Sequence, residues 1–139
     1  MTTRTKPTKL YLAGPMSGLP DMNYPEFNRV AALLRAQGYE VLNPAANPEP
    51  PCKSWQGYMR LAIAQLVQCD GVVTLDHWGG SKGAITEVQL ANRLDLPVVC
   101  ARLVLDGSFT LDVFLTALMT RNQCFTAAVN PKDLKVIGQ

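Results

Sequence analysis

The residues best suited to chemistry in this 139-residue chain lie in the segment HWGGSKGAITE, which runs from His77 to Glu87. Three glycines, Ser81 and Lys82 directly precede an apolar run with helical spacing. Glycines let backbone N–H groups approach a ligand closely, and the free N–H groups of a helix start attract phosphate or carboxylate. The spacing fits neither the Walker A motif nor the dinucleotide fingerprint G-x-G-x-x-G. The segment therefore indicates either an anion site or an ordinary turn between a strand and a helix.

Glu87 is the carboxylate of this segment, one turn into the apolar run. One interpretation is charge complementarity with the helix start, which stabilises by ~0.3–1 kcal/mol. The other is a nucleophile or base beside a phosphate-bearing ligand. His77, the single histidine, has an unperturbed pKa of about 6.5 that suits proton transfer, although a loop histidine can equally be inert. The residues alone leave these alternatives open.

Strands and helices alternate through most of the chain and must position this segment. We predict strands at 9–14, 39–42, 71–75 and 96–101, and a closing edge strand at 134–138. We predict helices from Pro25 to Gly38, from Ser54 as the cap to residue 68, at 84–94 and at 109–119. Continuous apolar strands separated by helices predict a parallel sheet covered on both faces. The expected fold is a single-domain, three-layer α/β/α sandwich over residues 9–139, with a mostly parallel, Rossmann- or flavodoxin-like sheet of about five strands and a flexible arm at 1–8.

Such a fold predicts where ligands bind. Right-handed crossovers place all strand-to-helix loops at one edge of the sheet, and ligands bind beyond the carboxyl ends of the strands. The glycine-rich loops AGPMSG and HWGGSKG follow the first and third strands, so we expect them to converge on one pocket. The proline-rich loop 43–54 is long enough to suggest a function or a lid. In the third helix, Ile85, Val88, Ala91 and Leu94 are expected to face the core.

Composition excludes several classes of protein. Apolar residues make up 47% and charged residues 17% of the chain, as in ordinary globular domains. The net charge of +2 does not favour a nucleic-acid polymer or a membrane surface as partner, and the apolar runs are too short to span a bilayer. The polar N-terminus lacks a secretory signal, so we expect a cytoplasmic protein. Without a C-x-x-C pair we expect no metal and no cofactor, and free thiols at Cys52, Cys69, Cys100 and Cys124.

Several motifs together resemble the nucleoside 2-deoxyribosyltransferase superfamily. They are YLAGPMSG near the N-terminus, the strand CDGVVTL, and W-x-x-S-x-G-A-x-x-E followed by A-x-x-L-x-L-P-V. The likeness is greatest to small bacterial and phage-type members of unassigned function, and it covers roughly residues 9–101 in the right order. Glycine, serine and glutamate alone would be a weak signal, but with the first strand and its loop the combination is fairly specific.

The resemblance implies that Glu87 attacks C1′ of a 2′-deoxyribosyl group and displaces the nucleobase. The covalent glycosyl-enzyme is then resolved by another base in the transferases, or by water in the 5′-monophosphate N-glycosidases. Ser81 stands where nucleoside transferases carry an aspartate that holds the 5′-hydroxyl and the monophosphate hydrolases a serine; a hydroxyl there suits a 5′-phosphate, and the sequence leaves both kinds of substrate open. Ser17 and Gly18 would supply further donors. Tyr11 matches a tyrosine of the hydrolases, although its alternation also fits an ordinary strand residue.

One departure concerns the acid. The superfamily usually has an aspartate in the helix before the third strand, where this chain has Ala62. Asp70 lies at the opposite edge of the sheet and is expected to be structural, so Asp76 and His77 are the candidates to replace the acid. The predicted site comprises the catalytic residues Glu87, His77 and Asp76 and the substrate-binding residues Tyr11, Gly14, Met16, Ser17, Gly18, Asn43, Trp78, Gly80, Ser81 and Gly83.

Three functions are consistent with this sequence. The first is an enzyme that cleaves or transfers the N-glycosidic bond of a small-molecule nucleoside or nucleotide. The second is a binding or sensing module that keeps the pocket with little or no chemistry, and the third is an interaction protein that keeps only the fold. The resemblance also implies a homo-oligomer whose pocket is shared between subunits. Residues 119–133 are expected to reach across, with Asn122 as a contact.

Overall fold

The computed structural model describes residues 8–108, in which four strands form one parallel sheet. The strands are β1 Lys9–Ala13, β2 Glu40–Leu42, β3 Gly71–Thr74 and β4 Val98–Cys100, in the order β2-β1-β3-β4. The parallel α/β prediction is confirmed. The count is four strands rather than five in this range, because the expected strand at 134–138 lies outside the described residues, as does the expected helix at 109–119.

Four α-helices connect or follow these strands. They are α1 Tyr24–Ala36, α2 Trp55–Leu66, α3 Lys82–Arg93 and α4 Ala101–Leu105, with short 3₁₀ turns at Pro20–Asn23, Pro44–Ala46 and Trp78–Gly80. The Ser54 side chain caps α2 as predicted, accepting from the backbone N–H of Gly57 at 3.0 Å. No helix in the described part of the chain is long and apolar enough to cross a membrane.

The element boundaries differ from the prediction by one or two residues, and α3 and β4 show the reasons. Helix α3 begins at Lys82 rather than at residue 84, because Ser81 is its cap and accepts from the N–H of Ala84 at 3.2 Å. Strand β4 ends at Cys100, and α4, which the sequence did not predict, begins directly after it. Leu94 is 47% exposed rather than in the core, since α3 ends before it and Asp95 turns the chain with a φ of 58°.

Alternating side chains of β1 build the two apolar layers of the sandwich. Leu10 and Leu12 pack on one face with α1 and α4, whereas Tyr11 and Ala13 pack on the other with α2 and α3. Successive residues of a strand point to opposite faces, so this one strand lies in both cores. Tyr11 is therefore directed into the layer that contains Glu87.

Candidate active site

A cavity of about 460 Å³ opens at the carboxyl edge of the sheet. Its volume falls in the range of small-molecule sites, about 300–1,000 Å³. The loop after β1 lines it with residues 14–17, and the segment before and inside the first turn of α3 lines it with residues 80–84. The two glycine-rich loops thus line the same cavity, as the topology predicted.

Glu87 and Tyr11 meet at the buried side of this cavity. Glu87 is 6% exposed and accepts a hydrogen bond of 2.5 Å from the fully buried Tyr11 hydroxyl, which donates to Oε2. Burial raises the pKa of Glu87 to about 7, although the Tyr11 hydrogen bond acts in the lowering direction. Burial and the neighbouring Glu87 raise the pKa of Tyr11 well above 10, so its hydroxyl stays a donor at neutral pH. At neutral pH the pair therefore consists of a carboxyl group near the midpoint of its ionisation and a neutral phenol that donates a hydrogen bond to it.

Charge complementarity with the helix start does not explain Glu87. Because α3 begins at Lys82, Glu87 lies in its second turn, and the first turn contains no acidic residue. The dipole effect falls off within the first turn of a helix. A carboxyl group that is nine-tenths buried instead has an elevated pKa, which is common at functional sites.

The first turn of α3 provides the polar donors of the cavity. Ser81 Oγ accepts from the backbone N–H of Ala84, which leaves its O–H free to donate toward the cavity that it lines.

Two glycines in the lining allow close approaches of the backbone. A Cβ on Gly83 would lie 3.2 Å from Sδ of Met59, so glycine allows α2 and α3 to approach each other there. A Cβ on Gly14 would lie 2.8 Å from Cβ of Leu75, so the loop after β1 can pass close to the end of β3 only as glycine.

The remaining walls are largely apolar and were missed by the sequence analysis. Helix α2 contributes one face with helical spacing, whose members are Trp55, Tyr58, Met59 and Ala62. The loop and start of α1 contribute Met22, Tyr24 and Phe27. The i, i+3, i+4, i+7 spacing of these α2 residues was the available sequence signal, but the same spacing is equally typical of a helix face that packs in the core. Ala62, where the resemblance described above predicts an aspartate, lines the cavity.

The structure does not bring Asp76 and His77 into the cavity. Both are exposed, and the Asp76 carboxylate lies 3.4 Å from Nε of Arg102 on α4, in the other layer of the sandwich. The reason is the backbone: β3 ends at Thr74, and His77 turns the chain with a φ of 66° before it returns toward the cavity near Gly80. Neither residue lines the cavity that contains Glu87.

Other predicted residues also lie outside the lining. Asn43 is buried and structural, accepting from the N–H of Ala45 and donating to Asn28. Trp78 packs against the core between the sheet, α2 and α3, and Gly18 is exposed. Of the predicted residues, those in the lining are Tyr11, Gly14, Met16, Ser17, Gly80, Ser81, Gly83 and Glu87.

Asp70 is structural, as expected. Its carboxylate accepts from the backbone N–H of Lys9 at 2.8 Å, at the strand entrances and away from the cavity. Within residues 8–108, no group of three or more histidine, cysteine or acidic residues is placed to hold a metal ion. Cys52, Cys69 and Cys100 are free thiols, and Cys124 lies outside the described range.

Comparison with known proteins gives a family without an assigned activity. No curated protein matches this sequence. A family model described as "Domain of unknown function (DUF4406)" matches residues 8–100, which include all four strands, the three helices between them and every residue of the cavity lining. The match covers well over half of the chain, and the protein therefore belongs to the DUF4406 family.

Proposed function

We propose that this protein cleaves or transfers the N-glycosidic bond of 2′-deoxynucleosides or their 5′-monophosphates, with Glu87 as the nucleophile. The observation that carries the proposal is the buried Glu87 carboxyl, hydrogen-bonded by Tyr11 in a ligand-sized cavity. The resemblance to the nucleoside 2-deoxyribosyltransferase superfamily supports the choice of substrate.

The reaction would proceed in two displacements. A Glu87 oxygen forms a bond to C1′ while the bond from C1′ to the base nitrogen breaks, and the base leaves with the electron pair and takes a proton from water. Water, or a second base, then attacks C1′ and regenerates the carboxylate, so the anomeric configuration is retained. The Tyr11 hydroxyl orients the carboxylate for the first displacement and stays protonated throughout.

Polar groups in the cavity lining favour a substrate with an anionic 5′ end. Ser81, Ser17 and free N–H groups of the helix start line the same cavity, and such groups bind phosphate well. Ser81 and Glu87 lie apart along α3, so the 5′-phosphate would bind beside Ser81 while the reacting carbon C1′ lies beside Glu87. A homo-oligomer, with residues 119–133 of a neighbour completing the cavity, and a cytoplasmic location remain part of this proposal.

The first test is release of free base. The protein is incubated with each common 2′-deoxynucleoside and its 5′-monophosphate, and the products are separated by chromatography. We expect base release by the wild type and a loss of at least about 10³-fold in Glu87→Ala, because the nucleophile is removed. Mass spectrometry of the quenched wild type should find a deoxyribosyl adduct on the peptide that contains Glu87. Equal base release by the variant would contradict the proposal.

A binding or sensing module is the second candidate, and Ala62 is the observation that favours it. This buried alanine lines the cavity at the position where the superfamily usually carries an aspartate. General acids contribute about 10²–10⁴-fold, so a cavity without one can bind a ligand while reacting slowly. Tight binding without base release in the wild type would support this candidate.

Ala62→Asp is expected to increase base release by about 10²-fold or more, because it restores a proton donor beside the leaving group. Ala62→Asn is the matched control, since it has nearly the same shape and no transferable proton. Both variants bury a polar group and are expected to lose about 1–3 kcal/mol of stability, which thermal unfolding measures. If both stay folded and release base equally, the missing acid is not what limits the reaction.

A further inference from the structure

Two exposed side chains in the cavity lining, which we place at its rim, contact each other. The Lys82 ammonium lies 4.2 Å from the ring centroid of Trp55, and both residues line the cavity while remaining exposed. Trp55 is the first residue of α2 and Lys82 is the first residue of α3. The contact therefore joins the starts of the two helices that form one side of the cavity.

The charges of the lining make this lysine distinctive. Among the lining residues that the structure describes, Lys82 is the one basic side chain and Glu87 the one acidic side chain. Lys82 forms no ion pair within residues 8–108, and its ammonium contacts the face of a neutral ring instead. An ammonium on a flexible four-carbon stem can move without disturbing the backbone.

We propose that Lys82 is the residue that selects phosphorylated substrates, and that Trp55 holds its ammonium at the rim until a phosphate draws it away. The inference rests on the proposed function for the identity of the substrate. A charge-assisted hydrogen bond to phosphate is stronger than an exposed contact between a cation and a ring, so the lysine exchanges one for the other. A deoxynucleoside without phosphate offers no such exchange and leaves the contact with Trp55 in place.

The indole of Trp55 lies close to the first turn of α3. A Cβ on Gly83 would lie 3.9 Å from Nε1 of Trp55, so the ring packs against the turn that begins with Lys82. Departure of the ammonium therefore changes the surroundings of the indole without requiring the helices to move. Trp55 is one of two tryptophans, so its fluorescence reports this exchange once Trp78 is replaced by phenylalanine.

The binding test uses the full chain with Glu87→Gln, which cannot form the glycosyl intermediate, so that affinity is measured without turnover. Calorimetry compares each 2′-deoxynucleoside with its 5′-monophosphate. We expect the monophosphate to bind at least about tenfold more tightly than the nucleoside, and Lys82→Met to reduce this ratio of affinities to about one. Lys82→Arg is the matched control, because it keeps the charge and should keep most of the preference. An undiminished preference in Lys82→Met would overturn the proposal, as would no binding of either ligand.

The fluorescence test uses the Trp78→Phe chain with 2-deoxyribose 5-phosphate, which does not absorb where tryptophan does, and 2-deoxyribose as its control. The phosphorylated sugar should change the Trp55 emission, and Lys82→Met should abolish the change. The same response in Lys82→Met would overturn the role of Trp55.

The two proposals can fail separately. If Glu87 is required for base release but Lys82→Met has the same kcat/KM ratio for monophosphate over nucleoside as the wild type, the proposed function stands and the role of Lys82 falls. If Lys82→Met loses the binding preference while Glu87→Ala still releases base, selection by Lys82 stands and the proposed nucleophile falls.

Discussion

Glutamine in place of Glu87 is expected to increase the free energy of unfolding at pH 8 by up to about 3 kcal/mol while ending base release. Burial raises the pKa of this carboxyl from 4.5 to about 7 in the folded chain, so at pH 8 folding must desolvate an ionised group. Glutamine has the same shape, carries no charge, and offers an oxygen that can accept from the Tyr11 hydroxyl.

The stabilisation should depend on pH in a defined window. Below pH 4.5 the carboxyl is protonated in both folded and unfolded chains, and its charge contributes no difference. Between pH 4.5 and about 7 the folded chain still binds a proton that the unfolded chain has released, so wild-type stability falls as pH rises. Above this window the difference in the free energy of unfolding between Glu87→Gln and the wild type has reached its full value and no longer changes with pH.

Urea unfolding at pH 4.5 and pH 8 measures this difference, and Glu26→Gln is the matched control. Glu26 is a surface carboxylate on α1, and its hydrogen bonds to Arg29 lower its pKa, which is the opposite direction. Its substitution should give no gain at pH 8. If Glu87→Gln were stabilised equally at both pH values, the effect would come from packing rather than from the buried charge.

A stabilising substitution that ends activity would connect the energetics to the proposed chemistry. A buried carboxyl that weakens the fold at neutral pH has no structural advantage over glutamine at the same position. Natural proteins sit close to their stability threshold and tolerate such groups chiefly where function requires them. The unfolding experiment therefore tests the energetic cost of the buried Glu87 charge independently of any choice of substrate.

The fold was predictable because its signals are local and repeated. Apolar runs with short connections determine a parallel sheet, and the Ser54 cap marks the start of α2. The handedness of the crossovers then brought the loops after β1 and β3 to one cavity without any knowledge of side-chain contacts. Leu94 was placed wrongly because helical spacing does not show that α3 has already ended at Arg93.

The details of the site depend on contacts that the local sequence does not contain. Tyr11 and Glu87 are 76 positions apart, and their hydrogen bond follows from the packing of α3 on β1. Asp76 and His77 lie at the correct edge of the sheet, yet both are exposed and lie outside the cavity lining. The spacing of Trp55, Tyr58 and Met59 indicates a helix face but cannot show whether that face meets a core or a cavity.

Tyr11→Phe is expected to move the rising limb of the pH profile of kcat/KM to higher pH. The proposed mechanism requires Glu87 to be ionised in the free protein, so the wild-type limb should have its midpoint near pH 7, the pKa of Glu87. The Tyr11 hydrogen bond lowers that pKa, and without it the buried carboxylate loses its donor. A hydrogen bond to a charged group contributes about 1.5–3 kcal/mol, so base release below pH 7 should fall by about ten- to a hundredfold.

The shape of the profile separates this role from a merely structural one. If Tyr11 acts by stabilising the carboxylate, the rate of Tyr11→Phe recovers toward the wild-type value as pH rises and Glu87 ionises. Tyr24→Phe is the control, because Tyr24 lines the same cavity on the side of α1 and should leave the midpoint in place. A loss that is uniform across all pH values would mean that Tyr11 only shapes the cavity. A profile that recovers at high pH would instead show that the Tyr11 hydroxyl determines what fraction of Glu87 is ionised, and therefore able to attack, at neutral pH.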